Sequence, residues 1–159
     1  MTPPPPILLV EDNQDDADLT LRAFNKQGFV NPVVVAKNGV EALAYLHGKE
    51  GQLESELGPL PILTLLDINL PKIHGLEVLK QIRQHPRTNL LNVVILTSSK
   101  QDEDISCGYQ GGANSYIRKP VDFNQFVNVI GQLGLYWLEL NESSLAQQTN
   151  KLITSNRHA

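Results

Sequence analysis

Asp67 is the residue with the clearest chemical potential, because this carboxylate directly follows a short apolar run. The run covers residues 62–66, is flanked by turn-forming residues, and is typical of a strand buried on both faces of a sheet. A carboxylate is costly to bury without a partner, so Asp67 is expected at the carboxyl end of that strand, where open α/β sheets bind ligands. A role as the cap of the next helix would explain the same position equally well.

Three other predicted strands also end in side chains that could bind or transfer a charged group. Glu11 and Asp12 follow the first strand, Thr97 follows the fourth, and Lys119 follows the fifth. Taken singly, the acidic pair could be a helix start, the threonine a strand-end hydroxyl and the lysine a solvated side chain. Because the carboxyl ends of parallel strands lie along one edge of a sheet, their joint occurrence predicts one site shared with Asp67.

The three predicted neighbouring carboxylates would repel one another unless cations compensated their charge. No histidine or cysteine belongs to the pattern, so the ligand atoms would all be oxygens, which suit a hard divalent ion. Few protein ligands and an open side favour Mg²⁺ over a Ca²⁺ cage. Lys119 would supply the second positive charge.

The elements that must position these residues alternate between strand and helix. The strands are predicted at residues 7–10, 33–35, 62–66, 93–96 and 115–118, and a segment with helical periodicity follows each of them. This order requires parallel pairing with right-handed crossovers, and therefore an α/β fold with a doubly wound, five-stranded parallel sheet and helices on both faces. The sequence predicts three segments. These are a proline-rich leader at residues 1–6, the domain with a helical extension at residues 7–140, and a polar, mobile tail at residues 141–159. Residues 47–60 are predicted to be a long surface loop.

Composition excludes several classes of function. The chain has 159 residues and a net charge of −4, and it lacks the basic face that nucleic-acid binding would need. Neither a signal peptide nor an apolar run of about 20 residues is present, so we expect a cytoplasmic protein without a membrane partner. The single cysteine, Cys107, excludes an internal disulfide and a CxxC metal site.

From residue 7 to about residue 133, the sequence resembles the receiver domains of two-component response regulators. The matching segments are ILLVEDN, LLDINLP, VVILTSS and IRKP, each at its expected strand end. The resemblance implies a flavodoxin-like receiver fold in which Asp67 accepts a phosphoryl group from a sensor histidine kinase. It further implies that Thr97 and Lys119 bind that group and that Tyr116 is the switch aromatic. The implied Mg²⁺ ligands are Glu11, Asp12, Asp67 and the backbone carbonyl of Asn69, and the Lys119–Pro120 bond is expected to be cis.

Two further features indicate which subgroup of receiver domains the sequence resembles. The long loop before the central strand and the segment LYWLEL after the last helix are similar to single-domain regulators that serve bacterial and cyanobacterial phytochrome kinases. His74 departs from the family pattern, in which an acidic residue or Asn commonly precedes the glycine. The segment from Leu135 to Leu138 is very apolar for the end of a chain. It could cover the domain's own core, or dock onto the kinase or onto a second copy of the chain, and the homodimer is the expected arrangement.

Three alternatives to a phosphorylated receiver are considered. A phosphatase or phosphotransferase of the aspartate-nucleophile hydrolase class needs a second aspartate two positions after the first, where this chain has Asn69. A nucleotide-binding module needs a glycine-rich phosphate loop, and no GxGxxG or GxxxxGK follows any strand. A phosphorylation-independent interaction domain would not need the intact Asp67 and Lys119. The expected protein is therefore a phosphoacceptor in signalling, not an enzyme acting on an external substrate.

Overall fold

A computed structural model describes residues 3–98, 101–120 and 122–145. The strands are β1 (Ile7–Val10), β2 (Val33–Ala36), β3 (Leu63–Leu66), β4 (Val93–Thr97) and β5 (Ser115–Arg118). The helices are α1 (Gln14–Gln27), α2 (Gly39–His47), α3 (Gly75–Gln84), α4 (Asp102–Gln110) and α5 (Phe123–Gly134). The predicted alternation of strand and helix is confirmed.

The five strands form one parallel sheet in the order β2-β1-β3-β4-β5. The chain reverses its direction of progress across the sheet between β1 and β3, and ligands bind at such a switch point. Val10 lies beside Leu66 in this register, so the residues that follow, Glu11 and Asp67, are neighbours. The register therefore brings the predicted acidic residues together.

Two apolar clusters cover the two faces of the sheet. One joins the sheet to α1 and α5, and Phe24 and Ile130 belong to it. The other joins the sheet to α2 and α3, and Leu46 and Val78 belong to it. Burying such a side chain contributes about 1.5–3 kcal/mol, so these clusters hold the helices and fix the strand ends that carry the polar residues.

Four of the five helices, α1, α2, α3 and α5, begin at a residue whose side chain caps the helix. The Asn13 side chain accepts a hydrogen bond from the backbone N–H of Asp16, and Asn38 and Asp122 cap α2 and α5 in the same way. His74 caps α3 through Nδ1, which accepts from the backbone N–H of Leu76 at 3.3 Å. The residue that departs from the family pattern thus has a local structural role.

The loop predicted at residues 47–60 contains a short 3₁₀ turn at Glu54–Glu56 and is tied to the domain by Arg87. Its guanidinium donates to the Leu46 carbonyl at 3.1 Å, to the Gly58 carbonyl at 3.0 Å and to Glu54 Oε1 at 3.3 Å. The Arg87 side chain therefore holds the loop through one backbone carbonyl and one side chain of the loop.

Both ends of the described chain contact the domain. The carbonyls of Pro5 and Pro6 accept from Asn31 Nδ2 and the Ile62 backbone N–H, each at 2.9 Å, so the end of the proline-rich leader is bound to its neighbours. At the other end Ser144 Oγ donates to the Leu90 carbonyl at 3.3 Å, and the rest of the predicted tail, residues 146–159, lies outside the described residues. Within the ranges that the structure describes, none of the helices is both long and apolar enough to cross a bilayer.

The apolar segment after α5 is a π-helix, Leu135–Leu140, whose side chains divide between two environments. Trp137 and Leu138 pack against the cluster shared with α1 and α5. Leu135 is 48% exposed and Tyr136 is 51% exposed. Part of the segment therefore covers the domain's own core, which is the arrangement the sequence analysis did not favour, and the other part faces outward.

Candidate functional site

Glu11 and Asp67 lie at the centre of the rim formed by the carboxyl ends of the strands. The Asp67 backbone N–H donates to the Val10 carbonyl at 3.1 Å and extends the pairing of β1 and β3 by one residue. Glu11 is 3% exposed and Asp67 is 8% exposed, whereas Asp12 is exposed. Two of the three acidic side chains are therefore largely withdrawn from water.

Asp67 is fixed by a neighbour on β4 and by one in the loop that follows β3. Its Oδ1 accepts a hydrogen bond from Thr97 Oγ1 at 2.7 Å and from the Asn69 backbone N–H at 3.2 Å. Behind it, Gly75 leaves no space for a side chain, because a Cβ there would stand 2.6 Å from the Ile68 Cα and also meet the Asp67 carbonyl. This close approach of α3 to the β3–α3 loop holds the carboxylate in place.

Lys119 joins the acidic residues from β5. Its backbone N–H donates to the Thr97 carbonyl at 2.8 Å. Its Nζ lies 2.9 Å from Glu11 Oε1, 3.5 Å from Asp67 Oδ2 and 3.5 Å from Asp16 Oδ2. The lysine is 12% exposed, so its charge acts mainly on these three carboxylates.

The prediction of a cis Lys119–Pro120 bond is wrong for this structure. The described residues, which include both members of that bond, contain no cis peptide bond. The trans form is the more stable isomer before proline, and here Lys119 Nζ reaches Glu11 and Asp67 with a trans bond. The ammonium can therefore enter the site without the rarer isomer.

The close packing of the charges shifts the pKa values of all three central groups. Burial, together with the adjacent Asp67 carboxylate, raises the pKa of Glu11 to about 9 despite the opposing effect of Lys119. Burial would also raise the pKa of Asp67, but the neighbouring Glu11, the charge of Lys119 and the hydrogen bonds from Thr97 and Asn69 lower it overall. For Lys119 the opposing effect of burial is outweighed by the acidic residues, which raise its pKa. Asp67 is therefore the ionised acid of the pair and Lys119 remains a cation.

The residues fit a divalent cation. Carboxylate oxygens of Glu11, Asp12 and Asp67 all lie within 4.8 Å of one another. Glu11 Oε2 is buried and has no hydrogen-bond partner among the described residues, so one acceptor in the site is left for another ligand. An all-oxygen set of this kind suits a hard cation that keeps part of its water shell.

Five of the predicted residues thus meet at one rim: Glu11, Asp12, Asp67, Thr97 and Lys119. Tyr116 stands apart from them on β5, where its half-buried ring packs with the cluster on the α2 and α3 side and lies close to Gly108 of α4. Its assignment as the switch aromatic stays a prediction, as does the metal contact of the Asn69 carbonyl. Asp16 was not among the predicted site residues, because an acidic residue in the first turn of a helix is already explained by the helix dipole.

Comparison with known proteins agrees with this geometry. The family model described as the response regulator receiver domain matches residues 7–131. The chain is 41% identical over 137 residues to the probable methanogenesis regulatory protein FilR2 of Methanothrix harundinacea, and the alignment covers 86% of each protein. It is 34% identical to the response regulator Rcp1 of Synechocystis, over 86% of this chain and 91% of Rcp1.

Solved structures give the same result. The phosphorylated cyanobacterial phytochrome response regulator RcpA is 33% identical, with a TM-score of 0.79 over 88% of this chain and 98% of RcpA. The Mn²⁺-bound form of Rcp1 is 33% identical, with a TM-score of 0.77 over 88% of this chain and 99% of that one. The bacteriophytochrome response regulator AtBRR is 45% identical, with a TM-score of 0.68 over 87% and 99% of the two chains.

Proposed function

Because the chain belongs to the response regulator receiver family, we propose that it accepts a phosphoryl group on Asp67 from a sensor histidine kinase. The observation that carries the assignment is the pair of contacts made by this carboxylate. One of its oxygens accepts from Thr97 Oγ1 at 2.7 Å, and the other lies 3.5 Å from Lys119 Nζ. Both donors can follow the negative charge when it moves onto a bound phosphoryl group.

The reaction requires little from the protein beyond position and charge. A carboxylate oxygen of Asp67 attacks the phosphorus in line, the bond between phosphorus and the donor breaks, and the donor leaves with the bonding electron pair. The Thr97 hydroxyl and the Lys119 ammonium then donate to phosphoryl oxygens. Glu11, Asp12, Asp67 and the Asn69 carbonyl would hold Mg²⁺, which when bound neutralises charge on the transferred group.

The experiment that tests this assignment is intact-mass measurement after incubation with acetyl phosphate and Mg²⁺. The native chain should gain the mass of one phosphoryl group, and Asp67→Asn should gain none, because the amide has nearly the same shape and is a very poor nucleophile. Asp18→Asn makes the same chemical change on the exposed side of α1 and should be phosphorylated normally. Stable uptake by the Asp67 variant would show that another residue is the acceptor.

The kinase partner is proposed to be a phytochrome. The support is the similarity to RcpA, Rcp1 and AtBRR, two of which are described as phytochrome or bacteriophytochrome response regulators. Phosphotransfer from a purified phytochrome kinase, faster than transfer from an unrelated histidine kinase at equal concentration, is the expected result. Equal rates from both kinases would contradict this partner.

The signal is proposed to leave through Thr97 and Tyr116. A phosphoryl group adds about −1.5 to −2 charges, which should draw the Thr97 hydroxyl inward and let the Tyr116 ring move toward the vacated space. Gly108 lies under that ring, so the movement would also reach α4. NMR shifts that stay confined to the loop around Asp67 after phosphorylation would rule this coupling out.

A homodimer is proposed at the outer side of β5 and α5. An open groove of about 550 Å³ lies there, and its apolar lining includes Ile117, Val129 and Tyr136. Tyr136 and the adjacent Leu135 are about half exposed, and a two-fold axis would let the same surface meet its copy. Such a contact would involve Ile117, the residue after the proposed switch residue Tyr116 on β5, although the Tyr116 ring packs on the opposite face of the sheet.

Sedimentation of the native chain and of a Leu135→Ser, Tyr136→Ser variant tests the dimer. Both substitutions leave Trp137 and Leu138 in place, so the domain's own core stays covered. The native chain should dimerise and the variant should not, whereas Val30→Ser, at a 79% exposed residue of another region, should behave as the native chain. A native chain that is monomeric at all concentrations, with or without phosphorylation, would refute the dimer.

A further inference from the structure

Among the residues that the structure describes, Asp16 is the acidic neighbour of Lys119 that the proposed phosphorylation reaction does not use. Its Oδ2 lies 3.5 Å from Lys119 Nζ, the same distance that separates Nζ from Asp67 Oδ2. Glu11 Oε1 holds the same ammonium more closely, at 2.9 Å. Among the described residues, the Lys119 ammonium therefore faces three acidic side chains, of which only Asp67 would carry the phosphoryl group.

The position of Asp16 is set by the start of α1. Its backbone N–H donates to Asn13 Oδ1 at 3.0 Å, and its carbonyl accepts from Thr20 Oγ1 at 2.9 Å. The carboxylate is 42% exposed, whereas that of Asp67 is 10% exposed, so Asp16 lies on the solvent side of the lysine. The helix start thus holds the Asp16 backbone, and the contact with Lys119 places the carboxylate where a donor approaching from water would meet its charge.

Lys119 has room on the side of Asp16. A small cavity of about 50 Å³ is lined by both residues, together with Leu19, Thr20, Pro120 and Phe126. Because Asp16 Oδ2 and Asp67 Oδ2 both lie 3.5 Å from Nζ, these two oxygens are no more than 7.0 Å apart. The Asp16 charge is thus close enough both to attract the ammonium and to repel a phosphoryl group at Asp67.

We propose that Asp16 is a specificity-determining residue that competes with the phosphoryl group for Lys119 and disfavours free, anionic phosphodonors. This inference rests on the proposed phosphorylation of Asp67. Glu11 keeps Lys119 in the site whether or not Asp16 is charged, so removing the Asp16 charge should relieve repulsion without displacing the lysine. A donor carried by a docked kinase is positioned by protein contacts and depends less on the charge at the entrance.

The test uses the full chain, Mg²⁺ and acetyl phosphate, and measures the rate of phosphorylation against donor concentration. Asp16→Asn should lower the half-saturating donor concentration about two- to fivefold, the range expected for a partly exposed ion pair. The maximal rate should change less than twofold. The effect should shrink toward none at about 1 M salt, where the Debye length falls to about 3 Å.

Two matched variants identify the cause. Asp16→Glu keeps the charge and should behave as the native chain. Asp15→Asn removes one charge from the same exposed turn, and no ion pair to Lys119 is made by Asp15 among the described residues, so its half-saturating concentration should also be native. Circular dichroism establishes that each variant is folded.

Three results would overturn the inference. The first is an Asp16→Asn variant with the half-saturating donor concentration of the native chain at low salt. The second is an Asp15→Asn variant that shows the same decrease as Asp16→Asn. The third is an Asp16→Asn variant with a raised half-saturating concentration, which would mean that Asp16 is needed to place Lys119. In each of these cases the native chain is still phosphorylated and the proposed function stands. A native chain that takes up no phosphoryl group under any condition would instead refute the proposed function, and with it this inference.

Discussion

His47 should make the stability of the domain depend on pH. Its Nε2 lies 2.8 Å from Thr88 Oγ1, and the Thr88 hydroxyl donates its proton to the Ile82 carbonyl at 2.8 Å. The Thr88 oxygen therefore accepts from the Nε2–H of a neutral His47. The His47 ring stacks on His85 at a centroid distance of 3.9 Å, and Arg87 adds a further positive charge nearby.

The free energy follows from the pKa difference between the folded and unfolded chain. Burial, with smaller contributions from His85 and Arg87, lowers the pKa of His47 from 6.5 to about 4. The unfolded chain therefore binds a proton first, so stability that is fully present above about pH 6.5 is lost as the pH falls toward about 4. Between about pH 7.5 and about pH 5 the free energy of unfolding falls by about 1–2 kcal/mol. The upper value follows from the full lowering of the His47 pKa, and the lower value allows for the solvent that reaches a half-buried ring.

Urea unfolding of the native chain and of His47→Gln at several pH values measures this loss. Glu11 changes stability in the opposite direction over the same range, since its pKa is raised to about 9, but it is present in both proteins and cancels in their difference. The stability advantage of the native chain over the variant should fall by about 1–2 kcal/mol as the pH is lowered. A difference that stays constant with pH, or an NMR titration of His47 near pH 6.5, would refute the reasoning.

Three other substitutions have definite expected outcomes. Gly75→Ala should destabilise the domain by about 1–3 kcal/mol in urea unfolding, because the alanine Cβ would meet the backbone at Ile68. Gly58→Ala, which has open space around it, should leave the stability unchanged, and equal effects of the two substitutions would contradict the clash. Thr64→Val should raise stability by about 1–2 kcal/mol in the same assay, because Thr64 Oγ1 is buried without a hydrogen-bond partner among the described residues; a loss of stability would mean that the hydroxyl is satisfied. Asp12→Ala should weaken Mg²⁺ binding in a calorimetric titration and slow phosphorylation, since it removes one of few ligands, and an unchanged titration would count against the acidic site.

The sequence by itself determined the fold and most of the site. Four of the five strands are short, mainly apolar runs, and each strand is followed by a segment of helical period. The alternation is therefore visible locally and leaves a doubly wound parallel sheet as the consistent arrangement. Asp67 and Lys119 could be placed together because parallel strands end at one edge, whatever the side chains between them do. Membership of the receiver family and the match over residues 7–131 agree with that reading.

Tertiary structure alone decided the features that depend on distance rather than on pattern. The charge of Asp16 suits a helix start in any fold, and only the packing of α1 beside the end of β5 places it 3.5 Å from Lys119. The sequence does not show whether Lys119 can reach Glu11 only through a cis Lys119–Pro120 bond. In the folded chain the Lys119 ammonium contacts Glu11 with this bond in the trans form. In the segment after α5, Trp137 packs inward and Tyr136 faces outward. The surface formed by α1 and α5 decides which of the two is buried. The sequence does not, because an apolar residue type does not specify which surface will cover it.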